Sequence, residues 1–294
     1  MHIHVTHETI YTYRSPVNHL IQILRLTPRG HVGQYVGNWR LEIGAECRVI
    51  RDEDSFGNIT HAFSIDRETA SLRVIAEGDI ETEDTNGVVH GAVERLPREF
   101  YLRSSTLTEA DAALRNLATS HADAASRDQL AALHALMLDL HQTMTFNTSA
   151  TTPATSAREA FAARQGVCQD FAQIFVTISR ALGIPARFVG GYLLRSDDSA
   201  QQTAGHAWAE AYVNGLGWVG FDAANCVCVT GDYVRVAAGL DSLDATPVRG
   251  AQRGGDGEAM SVRVKVEPLQ AVRSPRPIPV TQSQSQASFP PSLS

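Results

Sequence analysis

The chain has 294 residues, of which 43% are hydrophobic and 19% charged, and its net charge is −7. This is enough apolar material for one large or two modest globular domains, and the negative charge argues against a nucleic-acid partner. No apolar run approaches the roughly 18 residues of a membrane span, and Met1-His2-Ile3-His4-Val5 lacks the basic and apolar blocks of a signal peptide. The cysteines, at 47, 168, 226 and 228, form no disulfide framework for a chain this long. The expected location is therefore a reducing cytoplasm, with no membrane contact.

Residues 1–85 read as an N-terminal antiparallel β-domain. Ile3, Val5, Thr9, Tyr11 and Tyr13 alternate with polar neighbours, and Leu20 to Leu26 closes at Pro28 and Gly30. Further strand candidates are Trp39 to Ile43, Cys47 to Ile50, Ile59 to Ile65 and Leu72 to Ala76, punctuated by Asp54-Ser55-Phe56-Gly57-Asn58. His2 and His4 share a strand face, but no third ligand accompanies them, so they read as exposed strand residues and no metal is expected. Residues 86–103, with Gly87, Gly91 and Pro97, read as a linker.

Helical spacing takes over in a catalytic domain spanning 104–267. A weak helix is expected over Glu109 to Thr119. A stronger one over Asp128 to His141 puts Leu130, Leu133, Leu136, Met137 and Leu140 on one face. Thr145 to Thr155 reads as a loop. Ser156-Ala157-Arg158-Glu159 is a capping-box pattern opening a short helix to Arg164. After Pro185, strands return at Arg187 to Leu194, His206 to Val213, Trp218 to Asp222 and Met260 to Glu267, with a polar loop over Asp197 to Thr203. Residues 268–294 hold six of the chain's twelve prolines, with Ser and Gln, and are expected to be a disordered tail.

The chemistry centres on Gly166-Val167-Cys168-Gln169-Asp170-Phe171. Phe171, Ile174, Phe175, Ile178 and Leu182 mark the buried face of a helix that Gly183 and Pro185 end. Cys168 falls in its first turn, where unpaired N–H groups and the positive end of the helix dipole favour a thiolate. A cysteine nucleophile needs a base. His206 opens a strand and Asp222 ends the next, so Cys168, His206 and Asp222 offer nucleophile, base and orienter. The intervening turn decides whether base and orienter can meet. A two-residue Asn214-Gly215 turn would put them on opposite faces. A three-residue Asn214-Gly215-Leu216 loop, pairing Val213 with Gly217, would put them on one face. Trp208 and Trp218 read as core residues, Cys226 and Cys228 as strand cysteines and not a zinc pair. The Cys168 N–H is the favoured oxyanion donor, with Gln165 and Gln169 as further candidates.

Gly166-Val167-Cys168-Gln169-Asp170, Gly183-Ile184-Pro185-Ala186-Arg187, Gly205-His206-Ala207-Trp208-Ala209-Glu210 and Gly217-Trp218-Val219-Gly220-Phe221-Asp222 together closely resemble the bacterial transglutaminase-like cysteine-enzyme family, in the family's order. Leu24-Arg25-Leu26-Thr27-Pro28-Arg29 and Asp54-Ser55-Phe56-Gly57-Asn58 resemble its N-terminal β-domain, so the likeness covers roughly residues 1–268. It departs after the acid, where Asp222-Ala223-Ala224-Asn225 replaces Asp-Pro-Thr-Asn. The resemblance implies an α+β fold with a papain-like core, its nucleophile helix packed on an antiparallel sheet. It further implies acyl transfer through a Cys168 thioester on a peptide or protein substrate, without cofactor. Water as acceptor makes a peptidase or amidase, the favoured expectation; an amine makes a protein-glutamine crosslinker; a non-catalytic scaffold is the remaining possibility.

Overall fold

The computed structural model describes residues 1–196 and 201–269. The expected tail lies outside these residues from position 270 on, as does much of the loop expected after Asp197.

The first half of the chain builds the strands β1 (His2–Thr27), β2 (Gln34–Ile43), β3 (Val49–Glu53), β4 (Ile59–Ile65), β5 (Thr69–Thr82) and β6 (Val88–Val89). The expected separate strands over 3–13 and 20–26 are one element. β1 runs 26 residues and takes different partners along its length. Its first half lies between β5 and the C-terminal strand, and its second half between β4 and a further late strand. The change of partners is absorbed by register shifts between Thr12 and Val17 and between Val17 and His19, so Pro16 sits at an irregularity instead of a chain break. Alternate residues Ile3, Val5, Tyr11, Tyr13 and Val17 are buried, as period-two patterning requires. His2 and His4 face Glu81 and Asp79 of β5 across the pairing.

The helical layer comprises α1 (Ala112–Arg127), α2 (Gln129–Thr143), α3 (Ala157–Ala163) and α4 (Cys168–Ala181). Two short strands, β7 (Thr145–Phe146) and β8 (Gln165–Gly166), pair in parallel beside them. Asp111 and Asp128 cap α1 and α2, accepting from the N–H groups of Leu114 and Ala131 at 2.9 and 3.0 Å. The capping box of α3 forms as expected. α1 runs eight residues past the expected end at Thr119, because its inner face is continued by Ala118 and His121 and not by large aliphatics. His121 is held by Asp139 of α2 at 3.0 Å.

The remaining strands are β9 (Ala186–Leu193), β10 (Gln201–Gln202), β11 (His206–Val213), β12 (Gly217–Asp222), β13 (Val227–Cys228), β14 (Tyr233–Gly239), β15 (Val248–Gly254) and β16 (Glu258–Pro268). Two main sheets result. A six-stranded sheet runs β13-β12-β11-β9-β14, with β6 added beside β12. The helix α4 packs on it, giving the expected α+β layering, with Phe171, Ile174, Phe175 and Ile178 buried against Ala209, Ala211, Val219 and Phe221. The second sheet has eight strands and gathers β1 to β5 with β10, β15 and β16.

This differs from the expected partition at two places. Residues 248–267 were expected within the catalytic domain, yet β15 and β16 pair with β1 in the N-terminal sheet. Their alternating apolar residues, Val264 and Val266, cover the same core as Ile3 and Val5. The segment 86–103 was expected as a linker, yet β6 pairs with β12 and Tyr101 is buried against Trp218. Turn residues mark both ends of that segment, but its aromatic content supplies enough apolar surface to pack.

Candidate active site

Cys168 is the first residue of α4, where the sequence places it. The helix start is fixed by Asp170, whose carboxylate accepts from the Val167 N–H at 2.8 Å and the Thr151 hydroxyl at 2.7 Å. Burial raises the Asp170 carboxyl, against the pull of those two bonds. Gly166 makes room for it: a Cβ there would lie 2.6 Å from Asp170 Oδ2 and 2.7 Å from Asp170 Cβ. Gly166→Ala is therefore expected to push Asp170 off the helix start and to destabilise the fold by about 1–3 kcal/mol, read as a lower urea midpoint. An unchanged midpoint would show that the helix start yields without loss. The Cys168 side chain rests on a floor of Ala172, Ala207, Ala237, Ala245 and Phe188.

The hairpin between β11 and β12 takes the three-residue form. Val213 pairs with Gly217, and the register runs on to Ala209 opposite Phe221. Gly215 and Gly217 have φ of 86° and 93°, the left-handed conformations such a bulged loop needs. His206 and Asp222 consequently share a face, and His206 Nε2 donates to Asp222 Oδ2 at 2.6 Å. Cys168 is the other side chain near enough to raise His206, and with Nε2 turned to the carboxylate, Nδ1 is the ring nitrogen left for the sulfur.

Asp222 is fully buried and accepts from five donors. Oδ1 takes the N–H groups of Ala224 and Asn225 at 3.1 and 3.2 Å. Oδ2 takes His206, the Asn225 side-chain amide at 2.7 Å and the Tyr233 hydroxyl at 2.8 Å. Burial would raise this carboxyl, but the His206, Tyr233 and Asn225 bonds overrule it and hold Asp222 below its ordinary value. For His206, burial opposes the charge, but the bonds and charges of Asp222 and Cys168 prevail, and it is pushed up to about 10. Burial, then the Asp222 charge, raises the Tyr233 phenol, which stays a donor. The arrangement is a cysteine sulfur beside an imidazolium held by a fixed carboxylate.

Asn225 and Tyr233 were missed by sequence reasoning. Asn225, three residues after Asp222, carries a readable signal, since Asx-type turns place donors at that offset. It tethers the exit that the proline stiffens in the family pattern. Tyr233 carries no such signal; it arrives from β14, on the other side of β9. Trp208 is core, packed edge-on against Tyr233 and stacked beside His206. Trp218 lies under the Arg187 guanidinium at 4.0 Å. Gln165 is taken up by Asn147 at 2.8 Å, and Gln169 reaches the Pro153 carbonyl at 3.4 Å. Cys226 and Cys228 are free thiols. A cavity of about 1050 Å³ opens between α1, α2 and the β11–β12 turn, but no member of the Cys168, His206, Asp222 group lines it.

Burial pushes the Cys47 and Cys228 thiols up. Iodoacetamide near neutral pH is therefore expected to label Cys168 well before either, as peptide mapping would show. Faster labelling of Cys47 or Cys228 in the folded chain would remove Cys168 as the reactive thiol.

Known proteins resemble both parts of the chain. Residues 3–81 match the bacterial transglutaminase-like N-terminal region, and residues 115–223 match the transglutaminase-like superfamily. "Uncharacterized protein ML0607" of Mycobacterium leprae is 27% identical over 279 residues, covering 90% of this chain and 98% of its own. "Uncharacterized protein Rv2569c" of Mycobacterium tuberculosis is 27% identical over 292 residues, covering 90% of this chain and 92% of its own. The fold is shared with the crystal structure of a "Putative Cysteine Protease" from Cytophaga hutchinsonii, at a TM-score of 0.71 and 20% identity over 94% of this chain and 93% of that one. The segment matched to the core carries Cys168, His206 and Asp222, and the chain belongs to the transglutaminase-like superfamily, with the bacterial transglutaminase-like N-terminal region ahead of its core.

Proposed function

We propose that the protein is a cysteine peptidase or amidase that cleaves peptide or isopeptide amides through a Cys168 thioester. The observation that carries this reading is the His206 imidazole, bonded at Nε2 to the five-donor Asp222 and facing Cys168 with its other nitrogen. Cys168 Sγ attacks the amide carbonyl carbon. The first N–H groups of α4 receive the developing oxyanion. His206 gives its Nδ1 proton to the departing amine, leaving the acyl group on sulfur. It then takes a proton from water as that water attacks the thioester, releasing the acid and restoring the thiolate–imidazolium pair. Asp222 keeps the imidazole in one orientation throughout and stays ionised.

The acyl acceptor distinguishes hydrolysis from crosslinking. Incubation with a peptide library, with and without a primary amine, followed by mass spectrometry of peptides and enzyme, reads both outcomes. Free acids with the amine present support hydrolysis. Amine adducts in their place would make the enzyme a transferase, and an inert Cys168 would leave a binding domain. Self-acylation is easily mapped, since Lys265 is the chain's only lysine. The free thiols and this chemistry suit a reducing cytoplasm; among the described residues no helix is long and apolar enough to cross a membrane.

A further inference from the structure

Among the described residues β14 ends the six-stranded sheet, so its outer edge presents backbone groups without a neighbouring strand. Two buried side chains of the N-terminal β-domain occupy that edge, and a third holds the turn that leads into it. Gln34, in β2, accepts from the Arg235 N–H at 2.7 Å and donates to the Arg235 carbonyl at 2.8 Å. Asn58, just before β4, accepts from the Ala238 N–H and donates to the Ala238 carbonyl, both at 2.8 Å. Thr82, closing β5, donates to the Gly231 carbonyl at 2.5 Å. Each amide offers one residue of β14 a donor and an acceptor together, as a paired strand would. Asp54 holds Asn58 in turn, through its N–H and its side-chain amide at 3.0 Å. The gripped strand carries Tyr233, which bonds Asp222, and Arg235, which bonds Glu210 at 2.8 Å. It is irregular where it meets β9, shifting register between Arg235 and Ala237.

We propose that the N-terminal β-domain is a working part of the catalytic apparatus: Gln34 and Asn58, with Thr82, fix the register of β14 and so present the Tyr233 hydroxyl to Asp222. They are positioning residues for the Asp222–His206 pair, and the inference rests on reading Cys168, His206 and Asp222 as one catalytic unit. A domain tether alone would need adhesion anywhere along the interface. Here both amides are spent on the one strand that reaches the carboxylate.

The test uses the full chain with Gln34→Met and Asn58→Leu, which keep side-chain shape and remove the amide. Each is made alone and in a Tyr233→Phe background. The readouts are the melting temperature and the rate of Cys168 alkylation by iodoacetamide against pH. With Asp222 loosened, the imidazolium that sustains the thiolate is weakened. The profile should move up by about one pH unit, slowing alkylation about tenfold near pH 6, with rates converging near pH 10. Tyr233→Phe alone should slow it to a similar extent, and adding either amide variant should then change it by less than about twofold, as shared coupling requires. A lowered melting temperature with the wild-type profile would reduce the amides to domain adhesion and overturn the proposal. So would equal slowing in the Tyr233→Phe background, which would mean another route. If one variant fails to fold, the other carries the test; if both fail, a structural role replaces the positioning one. Alkylation needs no substrate, so a failure of the proposed amide cleavage leaves this result standing.

Discussion

Asp222→Ala is expected to lower kcat by about three to four orders of magnitude, with KM little changed. The acid does two things that no neighbour can take over. It holds the imidazole through Nε2, which leaves Nδ1 for the sulfur, and it provides the counter-charge for the imidazolium. Asp222→Asn is expected to fall nearly as far, because all five partners of the carboxylate are donors. Turned one way, the new NH2 group meets the backbone N–H groups of Ala224 and Asn225. Turned the other, it meets His206, Asn225 and Tyr233. Steady-state kinetics of both variants on any cleaved peptide decide the matter. Near wild-type kcat in Asp222→Asn would show that the imidazole needs only an acceptor and not this charge.

The same contacts set a pH dependence. His206 rises from an ordinary 6.5 to about 10 in the folded chain. Its contribution to stability is complete below pH 6.5 and fades as pH climbs through about 10. Asp222, held below its ordinary 3.8, contributes above that value and fades as pH falls further. In Asp222→Ala the alkaline fade should move to lower pH, because His206 has lost its carboxylate.

Local signals made the centre of this site legible. Cys168 is marked by Gly166, by the apolar spacing from Phe171 to Leu182 and by the Gly183–Pro185 stop. Strand parity tied a His206–Asp222 contact to a three-residue hairpin, which glycines at 215 and 217 permit and the structure adopts. What could not be read was anything that depends on distant strands meeting. Tyr233 reaches Asp222 only because β14 pairs with β9 on the far side of β11. The return of residues 248–268 to β1 is equally invisible, since their alternation fits any half-buried strand. Asn58 read as the end of the turn that Asp54 opens, and nothing marked Gln34. Their function is to complete a sheet edge that the local sequence does not contain.

The family motifs also hold a structural device that their catalytic reading concealed. Arg187, from the Gly183–Arg187 block, and Glu210, from the block of His206, meet in the core at 2.6 Å. Arg187 is 2% exposed and Glu210 not at all. Arg235 adds a second guanidinium at 2.8 Å, and Glu94 closes the other side of Arg187 at 2.9 Å. Burial would raise the Glu210 carboxyl, but Arg235 and Arg187 hold it down to about 2. Glu210→Ala takes the shared carboxylate from buried Arg187 and part-buried Arg235 beneath the catalytic sheet, and a loss of about 3–5 kcal/mol is expected. That is a large share of the roughly 5–15 kcal/mol that holds a domain together. Replacing Arg187, Glu210 and Arg235 together by Met, Leu and Met should cost less than the single change, because the only charge left without its partner, on Glu94, is exposed to water. Acid separates this network from the rest of the fold. His7, buried and lowered from 6.5 to about 4, stabilises above pH 6.5 and loses its contribution as pH falls through 4. Glu210 stabilises above pH 4.5 and loses its contribution as pH falls toward 2. Urea midpoints near pH 7, 5 and 3 should therefore drop in two stages in the wild type. In Glu210→Ala the His7 stage should remain and the lower stage should shrink to the share that Asp222 contributes. A Glu210→Ala chain within about 1 kcal/mol of wild type would mean that water reaches the two guanidiniums, and that this buried network contributes little to the fold.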